Sequence, residues 1–204
     1  MVGRITGSAY RQAVLMNLPN RLTITRFFLT LSFVAALSSH WRYGYTLALL
    51  LFLAGTVTDY ADGKIARKYN MITDFGKLMD PLVDKIMVAG AFICLIPHIP
   101  PWAVVVIISR EFLITGLRLL AAAKGVVLPA ESVGKHKTGW QIATVIFFLL
   151  MLSLQEFDRA GLPEHYIELS LRYAGNALIA IALGLTLYSG VNYLWKNREL
   201  LQTK

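Results

Sequence analysis

Four aspartates stand close together in one polar stretch of an otherwise apolar chain. The stretch from 59 to 84 reads DYADGKIARKYNMITDFGKLMDPLVD, and its acids of interest form two pairs, Asp59 with Asp62 and Asp80 with Asp84. Residues three or four positions apart share one face of a helix, so each pair would direct its carboxylates the same way. Carboxylates at or within a bilayer are costly, which makes them functional candidates by default.

The chemistry that suits such a group of acids is the binding of a divalent cation. If the chain turns back between the two pairs, the carboxylates converge on one cavity. Hard oxygen ligands favour Mg²⁺, Ca²⁺ or Mn²⁺ over zinc, which prefers a Cys/His set. Magnesium commonly binds through carboxylates together with substrate phosphates. The pattern therefore predicts a Mg²⁺ or Mn²⁺ site and a phosphate-containing substrate.

The elements that position these acids are predicted to be membrane helices. The chain of 204 residues is 56% hydrophobic and 16% charged, which is not the composition of a soluble domain. Its apolar stretches are each near the ~20 residues that cross a bilayer. They cover residues 22–37, 43–58, 82–96, 102–123, 138–154 and 169–195. The sequence thus predicts an all-α polytopic membrane protein with six transmembrane helices.

The distribution of Lys and Arg predicts the orientation. On the six-span interpretation, the segments on one side hold only Arg42 and Arg159, and most other cations lie on the opposite side. The positive-inside rule then places both termini and the aspartates in the cytoplasm. The expected location is a bacterial inner membrane. The net charge of +8 is explained by topology and by attraction to anionic membrane lipids, and it predicts no nucleic-acid partner.

The N-terminal region divides into a tail, 1–16, and the start of a single domain, 17–204. The run NLPNRLTITR from Asn17 offers Asn17 or Asn20 as a helix cap and Pro19 for a first turn. It predicts a short interfacial helix that leads into the first span. The longest segment on the outer side, 155–168, is predicted to be a solvated loop.

Eight residues of the polar stretch fit the pattern D-x-x-D-G-x-x-A-R-x8-G-x3-D-x3-D without departure. This pattern resembles the signature of the CDP-alcohol phosphatidyltransferase family. Four further runs resemble the branch of that family whose acceptor is sn-glycerol 3-phosphate. They are NLPNRLTITR, DFGKLMDPLVDK, SREFLITGLRLLAAAKG and GKHKT.

The resemblance implies an enzyme that moves the phosphatidyl group of CDP-diacylglycerol to an alcohol and releases CMP. Carried over by position, Asp59, Asp62 and Asp80 would hold the metal, and Asp84 would be the base and a further metal ligand. The residues that would shape the CDP site are Asp62, Gly63, Ala66, Arg67 and Gly76. The family also implies a homodimer.

An acceptor that is itself a phosphate requires a second cationic site. Its candidates are Arg110, Arg118, Lys135 and Lys137. Arg110 and Arg118 interrupt the fourth apolar stretch, and Arg is costly in lipid unless it faces an interior or a water-filled cavity. Lys135 and Lys137 precede the fifth stretch, where a helix N-terminus also attracts phosphate.

Other charged residues have alternative interpretations. Asp74 fits a helix cap better than a fifth ligand. Lys85 either extends toward the membrane interface or contacts substrate. Glu111 and Arg118 are seven residues apart on one face, so Glu111 either pairs with Arg118 or contacts substrate.

Two rival functions follow from the same residues. Within the same chemistry, the acceptor would be phosphatidylglycerol, with cardiolipin as product. The second rival belongs to a different class of protein, the divalent-cation transporters. In such a protein the aspartates would coordinate the transported ion. A transporter is expected to place such acids at the midplane, often with repeat symmetry. Here they gather near the predicted helix ends, and no repeat is visible.

Overall fold

The computed structural model describes residues 18–39, 41–69, 74–126, 128, 132–157 and 164–198. Their regular secondary structure is helical, as the composition predicted, and these ranges contain no strand. The helices are α1 (Leu18–Ser38), α2 (Gly44–Tyr69), α3 (Asp74–Cys94), α4 (Pro101–Ala123), α5 (Ser132–Glu156), α6 (Glu164–Ser170) and α7 (Asn176–Lys196). A π-helical turn, Leu171–Gly175, joins α6 to α7.

Two helical stretches of the described residues are long and apolar enough to cross a membrane, His136–Glu156 and His165–Lys196. Three shorter apolar helices, Thr23–Ser38, Gly44–Asp59 and Lys85–Cys94, fall within α1, α2 and α3. Large apolar side chains also cover the outside of the bundle, and Phe112 is 68% exposed. Apolar exteriors of this kind suit a lipid environment. The count of six spans stays a prediction. The run from Leu18 that was predicted as a separate interfacial helix forms the first turns of the continuous helix α1. The tail 1–16 lies outside the described residues.

The whole of the outer segment 155–168 was predicted to be a loop, and this prediction was wrong. Helix α5 continues to Glu156, and α6 begins at Glu164. The Glu156 carboxylate accepts hydrogen bonds from the backbone N–H of Tyr45 at 2.6 Å and of Thr46 at 2.9 Å, and from the Thr46 hydroxyl at 2.6 Å. It therefore satisfies donors in the first turn of α2, which have no partner within their own helix.

Helices α1 and α2 form a tight antiparallel pair. A Cβ at Gly44, where α2 begins, would lie 2.9 Å from the carbonyl oxygen of Ala36 near the end of α1. Farther along, the Phe33 and Phe52 rings pack with centroids 5.7 Å apart. The main apolar core extends from this pair into α3, α4, α5 and α7. The core thus fixes α2 and α3, which carry the four aspartates, against a common support.

Candidate functional site

Asp59 is held by a buried arginine of the first helix. The Arg26 Nη1 atom lies 2.8 Å from Asp59 Oδ1, and the Arg26 side chain is 0% exposed. The Asp59 side chain is 47% exposed, so it remains accessible from the site. An ionised pair at this distance makes a short, charge-assisted hydrogen bond. Arg26 thus fixes the first aspartate of the motif while that aspartate faces outward.

Arg26 was missed as a site residue in the sequence. The sequence did contain an indication of this role, because Arg26 stands in the apolar stretch 22–37. A guanidinium in such a stretch needs an acidic partner inside the protein. Its backbone is also well tied, since the Thr30 hydroxyl donates to the Arg26 carbonyl at 2.9 Å. What the sequence did not provide was the identity of the partner, which comes from a different helix.

A close contact sets the register between α2 and α3. A Cβ on Gly55 of α2 would lie 2.7 Å from the Met87 sulfur of α3, so the Met87 side chain reaches the α2 backbone at this level. Helix α2 continues about four turns beyond Gly55, and α3 begins about four turns before Met87. Both helices pack against α1, which holds them in this register.

The helix rise puts the two aspartate pairs at similar distances from the contact between Gly55 and Met87. Along α2, Asp59 and Asp62 follow Gly55 by about 6 and 10 Å, and along α3 Asp84 and Asp80 precede Met87 by about 5 and 10 Å. The backbone register therefore suits the predicted convergence of the two pairs. Eight predicted site residues lie outside the side chains that the structure describes, namely Asp62, Gly63, Ala66, Arg67, Gly76, Asp80, Asp84 and Lys135.

A second polar group joins α4 to α5 inside the bundle. Lys137 of α5 is only 2% exposed, although it is a lysine. Its Nζ atom pairs with the Glu111 carboxylate of α4. The same Glu111 Oε1 atom lies 3.6 Å from Arg110 Nη1, so the acid stands beside two cations. Glu111 therefore pairs here with Lys137, not with Arg118 as one interpretation of the sequence had it.

The last helix supports Arg110. The Arg110 Nη2 group donates a hydrogen bond to the hydroxyl of Ser189, which is 1% exposed. A Cβ on the adjacent Gly190 would lie 3.1 Å from Arg110 Cγ. Among the described residues, the buried Arg110 Nε finds no hydrogen-bond partner. Ser189 was also missed in the sequence, because a serine in an apolar helix carries no signal until its partner is known.

Lys85 connects the cations to the aspartate-bearing helix. It follows Asp84 on α3, and its ammonium donates to the Thr115 hydroxyl of α4. The Lys85 side chain therefore turns toward α4 and not toward the membrane interface. We call Lys85, Arg110, Glu111 and Lys137 the inner charge cluster. Arg118 stands apart from it: its side chain is exposed, and within the described residues it makes no ion pair.

Chemically, this end of the bundle combines acids with cations. The aspartate pairs can hold a cation, and the inner charge cluster can hold an anion. Asp84 and Lys85 are consecutive residues of α3, so this helix contributes a residue to each group. A substrate that brings phosphates and a hydroxyl to the same place would use both.

Comparison with known proteins agrees with this arrangement. The family model for CDP-alcohol phosphatidyltransferase matches residues 16–188. The chain belongs to this family. A relative in Bacillus subtilis (strain 168), named CDP-diacylglycerol--glycerol-3-phosphate 3-phosphatidyltransferase, is 36% identical over 203 residues, covering 93% of this chain and 99% of its own length.

Two further relatives cover most of the chain. A protein of the same name from Rickettsia felis is 33% identical over 179 residues, which is 87% of this chain and 93% of the relative. A protein from Mycobacterium tuberculosis (strain H37Rv), named probable phosphatidylglycerophosphate synthase, is 34% identical over 194 residues, covering 93% and 85% of the two chains. The family membership favours an enzyme over the ion transporter considered from the sequence.

Proposed function

We propose that this chain transfers the phosphatidyl group of CDP-diacylglycerol to sn-glycerol 3-phosphate, giving phosphatidylglycerol phosphate and CMP. The relatives that carry this activity in their names match the chain over most of its length. The observation that bears on the acceptor is the inner charge cluster, in which cations outnumber the single acid. An excess of buried positive charge suits an acceptor that is a phosphate monoester.

The donor site is formed by the aspartates and their small neighbours. Asp59, Asp62 and Asp80 would hold Mg²⁺ or Mn²⁺, with Asp84 as a further ligand. The exposed carboxylate of Asp59 and the matched register of α2 and α3 fit that role. The cation supplies Lewis-acid neutralisation of the pyrophosphate charge.

Around the donor, small residues leave room for the nucleotide. Gly63, Ala66 and Gly76 would let the backbone approach the CDP moiety, beside Asp62. Arg67 offers a planar fork of donors for a phosphate. All of these positions lie on the parts of α2 and α3 nearest the connection between them.

Asp84 is the proposed base. A free alcohol is a weak nucleophile at neutral pH, so the acceptor hydroxyl needs a positioned group to accept its proton. The acceptor oxygen then forms a bond to the phosphatidyl phosphorus, and the bond from that phosphorus to the bridging oxygen breaks. CMP leaves with the electron pair of the broken bond, and the proton taken by Asp84 passes to solvent.

The acceptor's phosphate would be bound by the cations of α4 and α5. Arg110 is held in place by Ser189, and its Nη1 group makes no hydrogen bond among the described residues, so this group suits a phosphate. Lys137 contributes a buried ammonium, and Lys85 adds a third cation. Arg118 and Lys135 complete the proposed set.

The proposed setting is a bacterial inner membrane with six spans. Both termini and the aspartates would face the cytoplasm, since most of the basic residues lie on that side. In this arrangement residues 17–204 form one domain in contact with membrane lipids. A homodimer is proposed on the family resemblance.

Acceptor specificity of the purified protein tests this function. With CDP-diacylglycerol and Mg²⁺, CMP release is expected with glycerol 3-phosphate and not with phosphatidylglycerol or inositol. Asp62→Asn and Asp80→Asn should each abolish release. Release with phosphatidylglycerol alone would make the chain a cardiolipin-forming enzyme, and no release with any alcohol would refute the proposal.

A further inference from the structure

Glu111 is an acid placed among cations in the interior of the bundle. Only 3% of the Lys137 side chain and 12% of the Arg110 side chain are exposed, and Glu111 stands beside both. A buried ammonium without an anion is strongly unfavourable. Glu111 therefore supplies the negative charge that Lys137 needs when no ligand is present.

The two cations beside Glu111 set the charge that a ligand would meet. Lys137 and Arg110 together carry about two positive charges at neutral pH. A phosphate monoester carries about −1.5 to −2 charges at that pH. The two cations therefore match the charge of a phosphate monoester and exceed that of a phosphodiester, which is about −1.

We propose that Glu111 is an internal counter-ion that the acceptor's phosphate displaces. In the empty site, Glu111 pairs with Lys137; in the occupied site, the phosphate takes Lys137 and Arg110. This inference rests on the proposed function, in which the acceptor is a phosphate monoester. It adds a source of specificity, because an alcohol without a phosphate brings no charge to replace Glu111 and cannot release the cations.

The geometry of Arg110 suits this exchange. Its Nη1 atom is 3.6 Å from Glu111 Oε1, which is longer than a hydrogen bond, so little is lost when Glu111 moves. Its Nη2 group stays bonded to Ser189 of α7. The guanidinium can thus offer Nη1 to a phosphate without leaving its support, whereas the Lys137 pair has to open.

Thermal unfolding of the purified protein in detergent tests the exchange without requiring activity. Glu111→Gln removes the charge and keeps the shape, so the midpoint of thermal unfolding should fall by about 10 °C. Inorganic phosphate at millimolar concentration should restore most of that loss, and glycerol should restore none. Glu156→Gln is the matched control: it weakens the cap of α2 far from the cations, so phosphate should not restore its stability.

A double variant keeps the test informative even if Glu111→Gln folds poorly. Glu111→Gln with Lys137→Met deletes both charges, so it should be stable without phosphate and should not respond to phosphate. The proposal is wrong if Glu111→Gln is as stable as the parent, if phosphate fails to restore it, or if phosphate restores Glu156→Gln equally. It is also wrong if the double variant is no more stable than Glu111→Gln.

Kinetics give a second measurement. In Glu111→Gln the carboxylate that competes with the substrate's phosphate for the cations is gone. The KM for glycerol 3-phosphate should therefore fall about fivefold, because nearby unit charges interact strongly in a partly buried site. The KM for CDP-diacylglycerol should be unchanged. A raised KM for glycerol 3-phosphate would mean that Glu111 only positions the cations. If the parent releases no CMP with glycerol 3-phosphate, the proposed function fails, and the unfolding experiment alone judges Glu111.

Discussion

Gly55 provides the most direct test of how the helices position the aspartates. A Cβ at this position would meet the Met87 sulfur at 2.7 Å. Carbon and sulfur atoms in ordinary contact lie at about 3.5–4.0 Å, so the helices or the Met87 side chain must give by about 1 Å. Gly55→Val adds two further methyl groups at the same contact and cannot be absorbed by a small shift of the thioether.

The expected effect follows from the distance to the acids. Asp59 lies about one helical turn beyond Gly55, so a separation of α2 from α3 by about 1 Å moves the two aspartate pairs apart by a similar amount. Misplacement by about 1 Å can cost 100-fold in rate. We expect CMP release to fall about 100-fold in Gly55→Val. The fall should be smaller in Gly55→Ala, where Met87 can move.

The assay is CMP release by purified protein at saturating CDP-diacylglycerol over a range of Mg²⁺ concentrations. Met87→Ala should restore much of the activity of Gly55→Val, since it removes the atoms that clash. Gly184→Val is the matched control, because a Cβ there has no heavy atom within 4 Å. Full activity in Gly55→Val, or an equal loss in Gly184→Val, would refute the role assigned to the register of α2 and α3.

Three further substitutions test other contacts. Arg26→Lys keeps the charge but loses the planar fork that holds Asp59, so CMP release should fall at least about tenfold; unchanged kinetics would make the pair structural only. Glu156→Ala removes three hydrogen bonds at the end of α2 far from the aspartates. It should lower the free energy of unfolding by about 2 kcal/mol, measured by chemical unfolding. CMP release should be unchanged in the same variant. Gly190→Ala places a Cβ 3.1 Å from Arg110 Cγ, so the KM for glycerol 3-phosphate should rise several-fold with the KM for CDP-diacylglycerol unchanged; an equal rise in both would contradict the placement of Arg110 at the acceptor.

The sequence was most informative where chemistry depends on short-range spacing. The aspartate pattern lies on two consecutive helices, and its residue types and intervals alone predicted the family, which the comparisons confirmed. Helical content was equally accessible, because apolar stretches of nearly constant length can form little else in a membrane. Such features are local, so they can be predicted without knowing which helices touch.

Contacts between distant parts of the chain were decided only by the tertiary structure. The partner of Asp59 is Arg26, the partner of Lys137 is Glu111, and Arg110 donates a hydrogen bond to Ser189, which lies 79 positions farther along the chain. The sequence suggested Arg118 as a partner for Glu111, because helical spacing was all it offered. Burial of a charge demands a counter-charge but does not say where along the chain it comes from. That choice depends on how the helices pack, and packing depends on close approaches such as Gly55 against Met87.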